Sequence, residues 1–257
     1  MLKSIQAYFK SYALLKQHGL RWLLWFPTII TVGVFYGGIE LTSWATDAAT
    51  ASLRSWIDGI EWLGNWQSTL GSIIYWLLWI VLRIMLYFVF TFVGGSVILI
   101  LMTPVLTYAS EAVAQKMGNE VPPFILSRFF ADIARAVGIA LKNGLIQLLL
   151  TLVCFAIGFI PIVGFAAPVI MFLINAYYYG FSLMDYSMER KALTVNQSAS
   201  FVWKNRLMSL GIGTPFALWV LIPFIGPMTS GFMALFGTIA ATERLEGSPT
   251  SPMRIDR

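Results

Sequence analysis

Apolar residues fall in long runs along this chain, and charged residues collect in the joints between them. Leu70 to Leu82 and Ile84 to Met102 are interrupted only by Arg83, and runs near 20 residues read as helices that cross a bilayer. Residues 21–39 predict one crossing and residues 70–110 a second. The second is about 60 Å long if straight, twice the hydrocarbon core, so it must tilt, kink or project, with bends expected at Gly94-Gly95 and Pro104. Two later apolar stretches, 143–184 and 207–242, each break in the middle in nearly the same words: Ile160-Pro161-Ile162-Val163-Gly164 and Ile222-Pro223-Phe224-Ile225-Gly226. Proline stops a helix and glycine lets the chain reverse, so both stretches predict hairpins, with Pro161, Gly164, Pro223 and Gly226 at their tips.

Charge sets which ends lie together. The chain holds 17 Lys and Arg against 12 Asp and Glu, for a net charge of +5. The basic residues group before residue 22, between 116 and 142, between 190 and 206, and after 243, while the segment 40–69 carries Glu40, Asp47, Asp58 and Glu61 against Arg54 alone. Under the positive-inside rule the four basic groups share the cytoplasmic side and segment 40–69 lies outside. Both hairpins then start and end inside. The arms 207–222 and 228–242 reach roughly 24 Å and 22 Å, short of the roughly 30 Å core, which makes the second hairpin hemi-penetrating. The first is longer and can do either, with Pro168 near its tip favouring the shorter reading, and a plain turn at the outer surface stands as the alternative for both tips. The matching breaks and the small residues of each second arm read as a diverged parallel repeat.

The fold expected is an all-α integral membrane protein: one membrane domain over 1–245 and a polar cytoplasmic tail over 246–257. Residues 2–17 alternate Ile5, Tyr8, Phe9, Tyr12 and Leu15 with Lys3, Lys10 and Lys16, the pattern of an interfacial amphipathic helix. No signal-peptide cleavage site follows the first apolar run, so that crossing is read as retained. Residues 111–143 read as two surface helices around Pro122-Pro123, and Trp44, Trp56, Trp62 and Trp66 as an aromatic belt.

Composition narrows the chemistry. The residues are 58% hydrophobic and 11% charged, against about 25% charged in soluble domains. With one cysteine, Cys154, and one histidine, His18, the parts for a zinc or haem site or a Ser-His-Asp triad are missing. No nucleophile–base–acid set is visible, so the chain does not read as an enzyme, and neither a cofactor nor nucleic acid is implied. What remains is anion binding. In Gly19-Leu20-Arg21, glycine ends one helix and the next begins with unpaired amides and the positive end of its dipole. Arg21 adds a planar fork of donors suited to a tetrahedral oxyanion; the competing reading is a headgroup anchor. Arg83, costly against lipid, reads equally as a pathway residue or an outer anchor. Asn175 reads as an interhelical hydrogen bond or a solute contact.

These residues together resemble the CysZ sulfate permeases and their eukaryotic relatives, the etoposide-induced membrane proteins. The likeness rests on Gly19-Leu20-Arg21, on Pro104 with Glu111, on Tyr177 to Asp185-Tyr186, on Arg190 to Arg206 with Gly211-x-Gly213, on the IPFIG tip and on Gly237-Thr238, over about residues 15–245. Ser187 stands where the family often has proline, and Gly226-Pro227 where asparagine is common. The resemblance implies two transmembrane helices with hemi-penetrating hairpins in the inner (plasma) membrane, homo-oligomerisation, and sulfate or sulfite uptake for cysteine biosynthesis. It implies anion binding at Gly19, Leu20 and Arg21, and, with no phosphate-binding loop in the chain, passive or channel-like transport. The alternative is a non-transporting scaffold or lipid-interacting protein.

Overall fold

The computed structural model describes residues 1–58, 69–119, 138, 142, 145–160, 163–191 and 193–247. Among them every regular element is helical: α1 (Leu2–Gln17), a 3-10 turn (Arg21–Leu24), α2 (Trp25–Asp58), α3 (Thr69–Lys116), α4 (Leu145–Gly158), a 3-10 turn (Val163–Ala166), α5 (Ala167–Arg190), α6 (Val195–Lys204), α7 (Arg206–Val220), the one-turn α8 (Ile225–Met228) and α9 (Ser230–Glu246). Pro161, Ile162, Trp62, Trp66, the Pro122-Pro123 region and the tail after Gly247 lie outside the described residues.

Among the described residues three helical stretches are long and apolar enough to cross a membrane: Arg21–Ser52, Tyr75–Lys116 and Gly164–Arg190. The third is the second arm of the first hairpin, beyond the two crossings expected. Its partner α4 is shorter, and α7 and α9, at 15 and 17 residues, reach about 22 and 26 Å.

One expectation about the long helices changes. α2 does not end near residue 39 but runs on to Asp58, some 51 Å in all. In its second half Thr42, Thr46 and Thr50, one turn apart, are buried, each hydroxyl donating to the carbonyl a turn earlier. α3 is one helix through both Gly94-Gly95 and Pro104. The glycine pair serves close packing: a Cβ on Gly95 would lie 2.8 Å from the Pro227 side chain.

Contacts fix how the helices run. α2 and α3 are antiparallel, with Trp22 against Tyr108 at one end and Ser43 against Arg83 at the other. α5 and α7 are antiparallel with their backbones touching: a Cβ on Gly213 would meet the Ala176 carbonyl at 1.8 Å, and one on Gly180 the Ser209 carbonyl at 1.9 Å. Small residues at such contacts let helices approach closely without help from water. α5 and α9 run parallel, pairing Leu183 with Gly237, Ser187 with Thr242 and Arg190 with Glu246, and α3 runs parallel to both, with Gly95 beside Ser230 and Ser110 beside Thr242. The two hairpins therefore point the same way. The core lies where α3, α5, α7 and α9 meet, around Met102, Leu106, Met184, Ile212 and Leu235.

α1 packs on α9 and α7 through Ser4, Ala7, Tyr8, Ser11 and Leu15. The Tyr8 hydroxyl donates to the Met233 carbonyl and Ser11 to that of Phe236; burial raises the Tyr8 phenol's pKa above its usual range. Phe9 and Tyr12, from the expected apolar face, are exposed beside Lys10 and Lys16.

Candidate anion site

The chain reverses at Gly19. This residue has φ +73°, its amide donates to Lys16 at 3.3 Å, and the Leu20 amide donates to Leu15 at 2.9 Å. Those paired bonds around a left-handed glycine close a helix C-terminus. Leu20 turns inward, 7% exposed, into the core with Leu15 and Leu23. The amides of Gly19 and Leu20 are therefore engaged in capping α1, and Leu20 anchors the reversal. The next two amides, of Arg21 and Trp22, open the helical run into α2, and among the described residues no backbone acceptor takes them. Arg21 is exposed and makes no ion pair among the described residues. Trp22 meets Phe26 edge to face and Tyr108 at a tilt, ring centroids 5.7 Å from each. The junction thus presents a guanidinium and two unpaired amides at one point of the surface.

Arg83 lies elsewhere. It donates to Ser43 Oγ at 3.0 Å, and its guanidinium sits 4.6 Å from the centre of the Trp79 ring and 5.9 Å from that of Tyr87. It joins α2 to α3 far from the Gly19 junction. Asn175 accepts a hydrogen bond from Gln147 Nε2 on α4 and also faces a partly open cavity of about 630 Å³ lined by α3, α5, α7 and the second tip.

The two tips differ in what holds them. At the first, the Gly164 amide donates to Ile160 at 2.8 Å, and a Cβ on Gly164 would meet the Gly158 carbonyl at 2.4 Å. At the second, the Gly226 amide donates to Ile222 at 2.9 Å, a Cβ there would meet the Trp219 carbonyl at 2.2 Å, and Trp219 Nε1 donates to Thr229 Oγ1 at 2.8 Å. Between them Phe224 holds φ 63°, a region bulky residues rarely enter.

Residues 7–229 match the family described as sulfate transporter CysZ/etoposide-induced protein 2.4. The chain belongs to this family. Two curated relatives from Pseudomonas aeruginosa, one from strain LESB58 and one from strain PAO1, are both named sulfate transporter CysZ. Each is 24% identical over 215 residues, covering 82% of this chain and 83% of the relative. The matched stretch takes in the Gly19–Arg21 junction and both tips.

In this CysZ/etoposide-induced family member, one further cluster escapes sequence reasoning. Ser110 of α3, Ser187 of α5 and Thr242 of α9 place three buried hydroxyls within 3.0–3.2 Å of one another. Arg190 donates to the Ser110 carbonyl at 2.7 Å and to its hydroxyl at 2.9 Å, and pairs with Glu246, which Lys191 also reaches at 3.3 Å. One turn up α9, the Thr238 hydroxyl is buried without a partner. The only signal in the sequence is that each apolar run closes on a mixed group of hydroxyl and charged residues. Such endings read as solvated ends until the tertiary fold brings three of them together.

Proposed function

We propose that the chain is a membrane permease for sulfate or a related small oxyanion, passive or channel-like, in the inner (plasma) membrane with both termini cytoplasmic. Membership of the CysZ/etoposide-induced family carries the reading, and the relatives' names supply the substrate. Arg21 and its unpaired neighbouring amides are the residues we assign to the anion. A sulfate has four acceptor oxygens; the guanidinium fork can take two, and the amides of Arg21 and Trp22 offer two more donors at the positive end of a helix. Gly19 and Leu20 serve by holding that geometry.

The basic ends of the chain support the orientation. The starts of α2 and α7 and the ends of α3, α5 and α9 share one end of the bundle, and Lys116, Arg190, Lys191, Arg206 and Arg244 lie there. Uptake of labelled sulfate into proteoliposomes tests the proposal. Hydrogen bonds to a charged group are worth about 1.5–3 kcal/mol, so Arg21→Ala should cut uptake by about tenfold or more at low sulfate, with Arg21→Lys intermediate. Equal uptake by wild type and Arg21→Ala removes Arg21 from the mechanism, and no uptake by either sinks the permease.

A further inference from the structure

The cavity between α3, α5, α7 and the second tip is poorly suited to an anion. No charged side chain lines it among the described residues, and a sulfate inside would lose its hydration with no countercharge in return. Its walls are aromatic and aliphatic, with Phe88, Phe172, Val220 and Phe224 among them. At about 630 Å³ it falls within the roughly 300–1,000 Å³ of ordinary ligand pockets, which are mostly apolar with a few placed polar groups.

The polar lining is limited to Thr91, Asn175 and Tyr179. Thr91 already donates to the Tyr87 carbonyl at 2.8 Å, and the Asn175 carbonyl oxygen already accepts from Gln147. What is left over is donors: the Asn175 amide nitrogen and the Tyr179 hydroxyl, one turn apart on the same face of α5. Water is a poor occupant, since it needs two to four polar partners and leaves apolar cavities empty. Of the residues that line it, Leu221 and Phe224 are exposed. Pro168, Met171 and Phe172, also in the lining, belong to a helix long and apolar enough to cross a membrane, so the medium reaching the cavity is lipid.

We propose that this cavity is a binding site for one acyl chain of a membrane phospholipid. A slender tail suits the space better than a helix of a second copy, which is about 10–12 Å wide. The bound chain packs against Phe224, whose ring lies 4.8 Å from that of Phe88, and so helps hold this residue in its unfavourable backbone conformation. The site is separate from the Arg21 junction, and its test does not depend on transport.

The whole protein, purified in detergent, is given one equivalent of a phosphatidylethanolamine carrying a diazirine in its tail, irradiated, and mapped by peptide mass spectrometry. Adducts should concentrate on Met171, Phe172 and Phe224. Val220→Trp, which fills the cavity, should lower the yield several-fold, while Ile170→Trp on the exposed side of α5 should leave it unchanged. Adducts spread evenly over exposed residues such as Leu148 and Phe155 would overturn the proposal, as would cross-links to a second copy through the cavity or an undiminished yield in a monodisperse Val220→Trp protein. If Val220→Trp does not fold, the wild-type adduct pattern decides alone.

Discussion

The two hairpins share a five-residue tip pattern and little else. In the second, both arms are built into the core. α7 lies against α5 with backbones in contact, and α9 touches α1, α3, α5 and α7, its Gly231, Ala234, Gly237, Ala240 and Ala241 all buried. In the first, α5 is a core helix, but α4 is an outer one: Leu145, Leu148, Leu152 and Phe155 are exposed, and Cys154 is its one buried residue among those described. Similar sequence at a break therefore specifies a turn but not the depth of packing behind it. That depth follows from the small residues along the arms, which decide how close a neighbouring backbone can come.

Substitutions can break this contrast, and the largest effect is expected where the hairpins are tied to each other. Arg190→Leu leaves Glu246 with only Lys191 and removes two bonds from Ser110. Breaking a buried pair costs about 3–5 kcal/mol, so the variant should lose most of its thermal stability in detergent, as read by fluorescence-detected size exclusion. Adding Glu246→Leu should recover much of the loss, because a buried pair replaced by apolar residues is often neutral. Next comes Gly213→Leu in the second hairpin. Its Cβ would sit against a carbonyl oxygen rather than a movable side chain, which puts it at the top of the overpacking range, about 3 kcal/mol, with a broadened or lost monodisperse peak.

The first hairpin should respond far less. Gln147→Leu removes the hydrogen bond that joins α4 to α5, and interhelical bonds of this kind in membranes average about 0.6 kcal/mol; the melting temperature should fall by a few degrees at most. Gly158→Ala is the smallest. The new Cβ would meet only the Ala167 side chain, at 3.9 Å, and alanine favours the helix by about 0.5–1 kcal/mol over glycine, so the melting temperature should stay level or rise slightly. A Gly158→Ala protein as unstable as Gly213→Leu would erase the distinction between the hairpins.

Much of the fold was legible because apolar runs and their breaks are local signals. The reading of 2–17 coincides with α1, residues 207–242 fall within α7 to α9, and the start of the second helical run at Arg21 is where the structure begins it. The extension of α2 to Asp58 was not legible. Glu40 and Asp47 look like the start of an external loop, and the threonine stripe that buries itself on α3 is neither apolar nor charged. The packing of Gly95 on Pro227 was not legible either, because a glycine's need for a close neighbour cannot be seen without the neighbour. At the candidate site, Gly19-Leu20-Arg21 stood out in the sequence, but not its division of labour: two residues shape the turn and the third faces outward. The Ser110–Ser187–Thr242 group was out of reach, since its members come from three distant helix ends.

That group of hydroxyls also has a mechanical meaning. It knots three parallel helices together at one end, while about 18 Å away along α9, at its start, the Ser230 hydroxyl donates to the Gly95 carbonyl of α3 at 3.4 Å. Three hydroxyls bonded to one another and to Arg190 make the first end a joint with several ties, whereas the start of α9 is held to α3 by one long bond. Amide exchange should therefore be slowest beside Ser187 and Thr242 and quicken step by step toward Phe224.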